Sequence, residues 1–266
     1  MEEDETTSSI PRLAVIGLGG TIAMRASKSG AVPGLTAEDL VELLPEEATR
    51  LIHHVENFRQ APGAHLTLDD LVALAARIRQ LTADEEVNGV VVVQGTDTIE
   101  ETVFALEILL DGPVPVVVTG AMRHAGQISA DGAANLANSL YLAAAPDAAG
   151  RGAMVCFNDE VHAAFAVQKT AATNPAAFSS PGFGPIGHVI EGRADLLMQA
   201  RRWPAVCSDP ATVRPAPVAM VAAALGESPV LLNAVASNGY RGCVVQALGA
   251  GHLPDSWVEP LTELAQ

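Results

Sequence analysis

The sequence is poor in lysine. Its 266 residues hold 15 lysines and arginines together, and only two of these are lysines, Lys28 and Lys169. A desolvated lysine can lose its proton, whereas arginine effectively never does. Each retained lysine is therefore a candidate for proton transfer, with chance retention as the alternative explanation.

Aromatic residues and cysteines are also scarce. Aromatics make up 4% of the chain, although 49% of the residues are hydrophobic, so the core must be built from Val, Leu, Ile and Ala, which suits an α/β protein. The cysteines Cys156, Cys207 and Cys243 are odd in number and lack the spacing of a zinc site. We expect free thiols in a reducing compartment.

Basic charge and long apolar runs are missing as well. The formal net charge of −16 argues against nucleic acid and anionic membranes as partners. The start, Met1-Glu2-Glu3-Asp4-Glu5, is acidic where a secretory leader is basic, and no apolar run approaches membrane-span length. We expect a soluble cytoplasmic protein.

The most informative stretch begins with four consecutive valines, Val90–Val93. Such a run predicts a strand buried on both faces, as in a parallel sheet. Thr98 and Glu101 stand three apart and predict a capping box at the start of a helix. Thr96 and Asp97 then lie in a tight turn at the carboxyl end of a strand, where open parallel sheets bind ligands. The alternative is that both are ordinary capping residues.

Other strands follow the same plan. Leu13–Ile16 is a buried strand followed by a glycine-rich turn that carries Thr21. A dinucleotide fingerprint would need a glycine at Ile22, which disfavours nucleotide binding. The stretch 113–119 predicts another buried strand. Strands alternating with helical patterns predict an α/β fold with a mostly parallel, doubly wound sheet.

The chain is predicted to contain two folded parts. A large N-terminal domain covers residues 10–196, and a proline-rich linker covers residues 197–217. Residues 218–266 follow with a strand-helix-strand pattern, which predicts a small, partial α/β domain.

Polar residues of several strand ends are expected to share one edge of the sheet. Three strands end there, one with Thr21, one with Thr96 and Asp97, and one with Thr119, and Lys169 could join them from a segment without clear periodicity. A hydroxyl needs a base to act as a nucleophile, and no G-x-S-x-G elbow supplies one. A neutral lysine could take the proton, while Asp97 orients that lysine or binds a cationic group. Glycine turns could offer N–H groups to an oxyanion.

Several motifs together resemble one family. They are Gly19-Gly20-Thr21-Ile22-Ala23, Gln94-Gly95-Thr96-Asp97-Thr98-Ile99-Glu100-Glu101, Gly120-Ala121-Met122-Arg123, Ser129-Ala130-Asp131-Gly132, Asn158-Asp159 and Lys169-Thr170. The sequence resembles the bacterial-type L-asparaginases in these motifs, over about Leu13 to Leu253.

The resemblance implies roles for individual residues. Thr21 would be the nucleophile that attacks a side-chain amide. Thr96, with Lys169 and Asp97, would be the second hydroxyl and its activating group, and Asp97 would also hold the substrate's α-ammonium. The implied substrate-binding residues are Gly20, Gly63, Gly95, Thr96, Asp97 and Ala121.

The resemblance also bears on products and partners. It implies that L-asparagine is converted to L-aspartate and ammonia without a cofactor or metal, in a dimer or tetramer. Family members typically continue for several tens of residues more, so we expect a shortened C-terminal domain. Two alternatives stay open: a glutaminase-asparaginase or related amidase, and an inactive relative that binds an amino acid.

Overall fold

The computed structural model describes residues 10–20, 22, 24–27, 30–33, 36–84 and 87–265. Its strands are β1 (Leu13–Gly17), β2 (Met24–Ser27), β3 (Gly30–Pro33), β4 (Ile52–Asn57), β5 (Gly89–Val93), β6 (Val116–Thr119), β7 (Ala153–Phe157), β8 (Glu160–Ala163), β9 (Gln168–Lys169), β10 (Phe178–Ser179), β11 (Gly187–Ile190), β12 (Arg193–Leu196), β13 (Val218–Ala222) and β14 (Gly242–Gln246). Its α-helices are α1 (Ala37–Val41), α2 (Glu46–Thr49), α3 (Leu68–Asp84), α4 (Ile99–Leu109), α5 (Gly132–Ala144), α6 (Val230–Ser237) and α7 (Val258–Leu264). Within these ranges, no helix has the length and hydrophobicity that crossing a bilayer requires. The chain divides into two compact units, Met1–Val213 and Arg214–Gln266.

The large unit is built on a mostly parallel sheet. In the described part of the chain, eight strands form it in the order β12-β11-β8-β7-β6-β5-β1-β4. The run β4-β1-β5-β6-β7 is parallel, and β8, β11 and β12 continue it in antiparallel fashion. The predicted α/β fold is confirmed.

The valine run of β5 shows why the sheet needs helices on both faces. Val90 and Val92 pack on the side of α3 and α4, whereas Val91 and Val93 pack on the side of α5. Alternate residues of a strand point to opposite faces, so a strand covered on both sides is apolar at every position. This packing places the carboxyl ends of β1, β5 and β6 side by side.

A capping box forms at the start of α3, whereas the one predicted at the start of α4 does not form. Asp70 Oδ2 accepts the Thr67 N–H at 3.0 Å, and Thr67 Oγ1 accepts the Asp70 N–H at 3.2 Å. Burial alone would raise the pKa of Asp70, but hydrogen bonds from Arg59 and Thr67 outweigh it and the pKa is lowered. The box predicted for Thr98 is wrong: its hydroxyl makes no cap bond and donates instead to Gly63 O at 3.0 Å.

Lys169 lies in a segment that is more regular than its sequence suggests. Residues 160–190 contribute four short strands, β8 to β11, where little periodicity was visible. Lys169 itself is on β9, which pairs antiparallel with β10 and places Lys169 opposite Phe178. Pairing with a second strand therefore gives Lys169 a defined main-chain position.

The proline-rich stretch after β12 is hydrogen-bonded to the large unit. Arg202 Nε donates to the buried carboxylate of Glu107 at 3.3 Å, and Val206 N donates to Ile108 O at 2.8 Å. The same carboxylate accepts the Ala153 N–H at 2.9 Å. Glu107 thus connects this stretch to the start of β7.

The cysteines differ in exposure: Cys156 is buried, whereas Cys207 and Cys243 are partly exposed. The three cysteines, Cys156, Cys207 and Cys243, are free. Cys156 on β7 is fully buried, and desolvation raises its pKa to about 12. Its thiol therefore stays protonated and unreactive at neutral pH.

The small unit has a core of its own. Parallel strands β13 and β14 pack with α6 and α7 around one apolar cluster, formed by Ala219, Val221, Leu232, Val235 and Trp257. The alternation along β13 leaves Val218 and Met220 exposed, and Val244 on β14 is exposed too. One face of this two-stranded sheet is therefore covered and the other is open.

Candidate active site

Three glycines bring the loops after β1, β4 and β5 into main-chain contact. A Cβ placed on Gly20 would lie 2.1 Å from Gly95 N, and one on Gly63 would lie 2.8 Å from Gly95 O. Gly20 also has a φ of +93°, a conformation that glycine adopts without strain. Any side chain at these positions would separate the loops.

Thr98 and Gln94 fasten two of these loops together. Thr98 Oγ1 donates to Gly63 O, and Gln94 Nε2 donates to Thr98 Oγ1 at 3.3 Å and to Gly95 O at 3.2 Å. Gln94 is fully buried, so water does not compete for these bonds. The hydroxyl that was expected to cap a helix instead joins two loops.

Lys169 reaches into the turn that follows β5. Its Nζ donates to Thr96 Oγ1 at 2.9 Å and to Asp97 Oδ1 at 2.8 Å. Thr96 is only 6% exposed, whereas the side chain of Asp97 is 62% exposed. The structure thus brings together three of the four predicted catalytic residues, with a buried hydroxyl on one side and an accessible carboxylate on the other.

This arrangement can move a proton. A lysine nitrogen within hydrogen-bond reach of a hydroxyl can accept its proton once the amine is neutral. Asp97 then stabilises the ammonium that forms. Thr96–Thr98 is a single 3₁₀ turn that runs into α4, so the positive end of the helix dipole faces the same place.

The loop after β6 is fixed by a carboxylate. Asp131 accepts the Met122 N–H at 2.9 Å and the Arg123 N–H at 2.8 Å. Ala121, the predicted substrate-binding residue in this loop, is fully buried. Its main chain is therefore held at the carboxyl edge of the sheet.

An amide side chain fastens the preceding residue of the same loop. Asn135 Nδ2 donates to Gly120 O at 3.0 Å, and Asn135 Oδ1 accepts the Asn158 N–H at 3.0 Å. A Cβ on Gly120 would lie 3.4 Å from Thr96 Cγ2, so this loop lies against the Thr96 turn. The carboxyl ends of β5, β6 and β7 are connected in this way.

Two further threonines, Thr21 and Thr119, belong to the sequence at this edge of the sheet. Thr21, the predicted nucleophile, lies outside the described residues. Its neighbour Ile22 is described and buried, and it packs so closely on Gly132 that a Cβ there would lie 2.9 Å from Ile22 Cγ1. Thr119 does not join the site, because its hydroxyl donates to Cys156 O at 2.8 Å.

Sequence reasoning missed Glu100. Its Oε2 accepts the main-chain N–H of Lys169 at 2.6 Å. The available signal was its position four residues after Thr96, since residues at that spacing share one side of a helix. In the sequence analysis, Glu100 is only one residue of the family motif that runs from Gln94 to Glu101.

A cavity of about 260 Å³ lies elsewhere in the large unit, among residues that include Ile78, Leu106, Val116 and Arg202. Neither Thr96 nor Lys169 lines it. No group of three or more His, Cys, Asp or Glu residues that could hold a metal ion occurs in the described ranges. We place the chemistry at the strand ends because the hydroxyl, amine and carboxylate converge there.

Comparison with known proteins identifies the family. Residues 12–202 match the family model for the N-terminal domain of asparaginase. The chain belongs to the asparaginase family. It is 36% identical over 250 residues to a probable L-asparaginase from Deinococcus radiodurans, an alignment that spans 93% of this chain and 74% of that protein.

Other members of the asparaginase family are similarly related. The chain is 30% identical over 273 residues to a glutaminase-asparaginase from Pseudomonas fluorescens biotype A, spanning 99% of this chain and 75% of that one. The crystal structure of a probable cytoplasmic L-asparaginase from Campylobacter jejuni has a TM-score of 0.86 and 31% identity, and the match covers 96% of this chain and 79% of that chain.

Replacing Gly95 by alanine tests the glycine contact. Gly95 has a φ of −66°, so alanine fits the backbone, but its Cβ would lie 2.8 Å from Gly63 N. We expect the overpacking to lower the free energy of unfolding by about 1–3 kcal/mol in urea denaturation. Gly249→Ala is the control, because a Cβ there meets nothing within 4 Å. Equal urea midpoints for the two variants would contradict the contact.

Proposed function

We propose that this chain hydrolyses the side-chain amide of L-asparagine to L-aspartate and ammonia. The observation that carries the proposal is the contact of Lys169 Nζ with Thr96 Oγ1 and Asp97 Oδ1 at the carboxyl end of β5. Membership of the asparaginase family and the names of the Deinococcus and Campylobacter relatives support the choice of substrate.

The proposed reaction has two stages. The Thr21 hydroxyl loses its proton as its oxygen bonds to the amide carbon, the carbon–nitrogen bond breaks, and the nitrogen leaves as ammonia after gaining a proton. Water then cleaves the threonine ester, which restores the hydroxyl and releases aspartate. Thr21 has this role through the family resemblance.

In this proposal the described residues handle protons and bind the substrate. Lys169 takes a proton through Thr96, and Asp97 binds the α-ammonium of the substrate with the carboxylate face that Lys169 leaves open. The rest of the substrate is bound by main-chain groups of the glycine-rich loops and of the loop after β6, namely those of Gly20, Gly63, Gly95 and Ala121. Their fixed N–H groups suit an oxyanion, because they need no reorientation during the reaction.

An asparaginase that also accepts glutamine is the second candidate. The observation that favours it is the Pseudomonas relative, whose name includes both activities. Ammonia release by the purified protein tests both candidates. Release from asparagine alone supports the first, comparable kcat/KM for glutamine supports the second, and no release from either contradicts both.

Two threonine variants test the assigned hydroxyls. Thr21→Ala and Thr96→Val should each lower kcat at least about a hundredfold, because each removes a hydroxyl that takes part in bond making or proton transfer. Thr102→Val is the matched control: Thr102 is buried on α4, and its hydroxyl has no partner among the described residues. A Thr96→Val enzyme with more than a tenth of the wild-type kcat would contradict the role of Thr96.

Two lysine variants separate proton transfer from charge. Lys169→Arg keeps a positive charge but cannot supply a neutral amine, so we expect its kcat to be nearly as low as that of Lys169→Met. Steady-state ammonia release at saturating asparagine measures both. A near-normal rate in the arginine variant would show that Lys169 acts through its charge.

We also propose that the protein is cytoplasmic and assembles into a dimer or tetramer. The open face of the small unit exposes Val218, Met220 and Val244, and association would remove this apolar surface from water. Light scattering should therefore give two or four times the 27.5 kDa chain mass. Met220→Lys should weaken the assembly, and a monomeric mass for the unaltered chain would contradict it.

A further inference from the structure

Lys169 is bound at both of its ends by one short stretch of chain. Thr96 and Asp97 accept hydrogen bonds from its Nζ at 2.9 and 2.8 Å. One helical turn later, Glu100 Oε2 accepts the main-chain N–H of the same lysine at 2.6 Å. One short stretch of chain, from Thr96 to Glu100, thus contacts both the amine and the main chain of Lys169.

The hairpin that contains Lys169 also holds its main chain. It lies on β9, which is two residues long and pairs only with the equally short β10 among the described strands. The next residue, Thr170, donates its N–H to Ala177 O at 2.7 Å within the same hairpin. Phe178 of the hairpin and Val103 of α4 also belong to one buried apolar cluster. Glu100 adds a hydrogen bond from α4 to the main chain of Lys169 itself.

We propose that Glu100 is a positioning residue: its carboxylate holds the Lys169 main chain so that Nζ meets Thr96 Oγ1. The catalytic consequence rests on the proposed function, whereas the position of Lys169 does not. The lysine stem is long and freely rotatable, and a misplacement of about 1 Å can cost about a hundredfold in rate. Fixing the start of the stem limits where its end can go.

Substitution can separate two features of Glu100, the oxygen that accepts a hydrogen bond and the negative charge. A glutamine at this position keeps an oxygen that accepts the Lys169 N–H, whereas alanine removes it. Both variants remove one negative charge from the start of α4, where an acidic residue is favourable in any case. Glu101→Ala is the matched control: Glu101 is exposed in the same helical turn, and its substitution removes the same negative charge.

Kinetics give the first test. Glu100→Ala should lower kcat for asparagine at least about tenfold with KM within about twofold, because Lys169 acts in proton transfer and not in binding. Glu100→Gln should recover most of that loss, and Glu101→Ala should behave as the unaltered enzyme. Equal losses in the alanine and glutamine variants would overturn the proposal, since charge and not the hydrogen bond would then matter.

A second test needs no activity, because the chain has only two lysines. Protein labelled with ¹³C,¹⁵N-lysine should give two Cε–Nζ NMR signals, and Lys28→Arg leaves the one from Lys169. Glu100→Ala should move that signal towards the position of a solvated lysine, and Glu100→Gln should restore it. An unmoved signal in Glu100→Ala would overturn the positioning role. If the unaltered protein releases no ammonia while Glu100→Ala still moves the Lys169 signal, the proposed function is contradicted and the positioning role is not.

Discussion

Gly20, Gly63 and Gly95 meet main chain against main chain just beyond the ends of β1, β4 and β5. The distances leave no space for a Cβ, so the absence of side chains sets how closely the loops approach. Gly95 directly precedes Thr96, and Gly20 directly precedes Thr21. The placement of Gly20 and Gly63 against the Thr96 turn therefore depends on this contact, which Thr98 reinforces through its bond to Gly63.

Around the glycine contact, the site combines a buried group with an exposed one. Thr96 is shielded from water, which strengthens its hydrogen bond with Lys169, whereas Asp97 faces solvent and its ion pair with Lys169 contributes little to stability. A carboxylate that is paired on one side and open on the other can still bind a cationic group. The arrangement suits a substrate that carries both an ammonium group and the amide to be cleaved.

Local sequence patterns predicted the strands of the sheet, but they did not predict contacts between residues far apart in sequence. The valines of β5 predicted a strand covered on both faces because each position must be apolar there. Thr96, Asp97 and Lys169 were grouped through strand ends and family resemblance. Thr98 was misassigned because its partner, Gly63, is 35 residues away in sequence, and Glu100 was missed because Lys169 is 69 residues away. Helical spacing could have placed Glu100 on the side of Thr96, but it could not reveal that the main chain of Lys169 lies there.

A crystal structure of the protein with L-aspartate, the proposed product, tests the central claim most directly. The account predicts that the α-ammonium contacts Asp97 and that the side-chain carboxylate lies within hydrogen-bond distance of Thr96 Oγ1, with Lys169 Nζ still bound to that hydroxyl. Aspartate bound elsewhere, for example in the cavity beside Ile78 and Arg202, with the Thr96 turn empty, would contradict it.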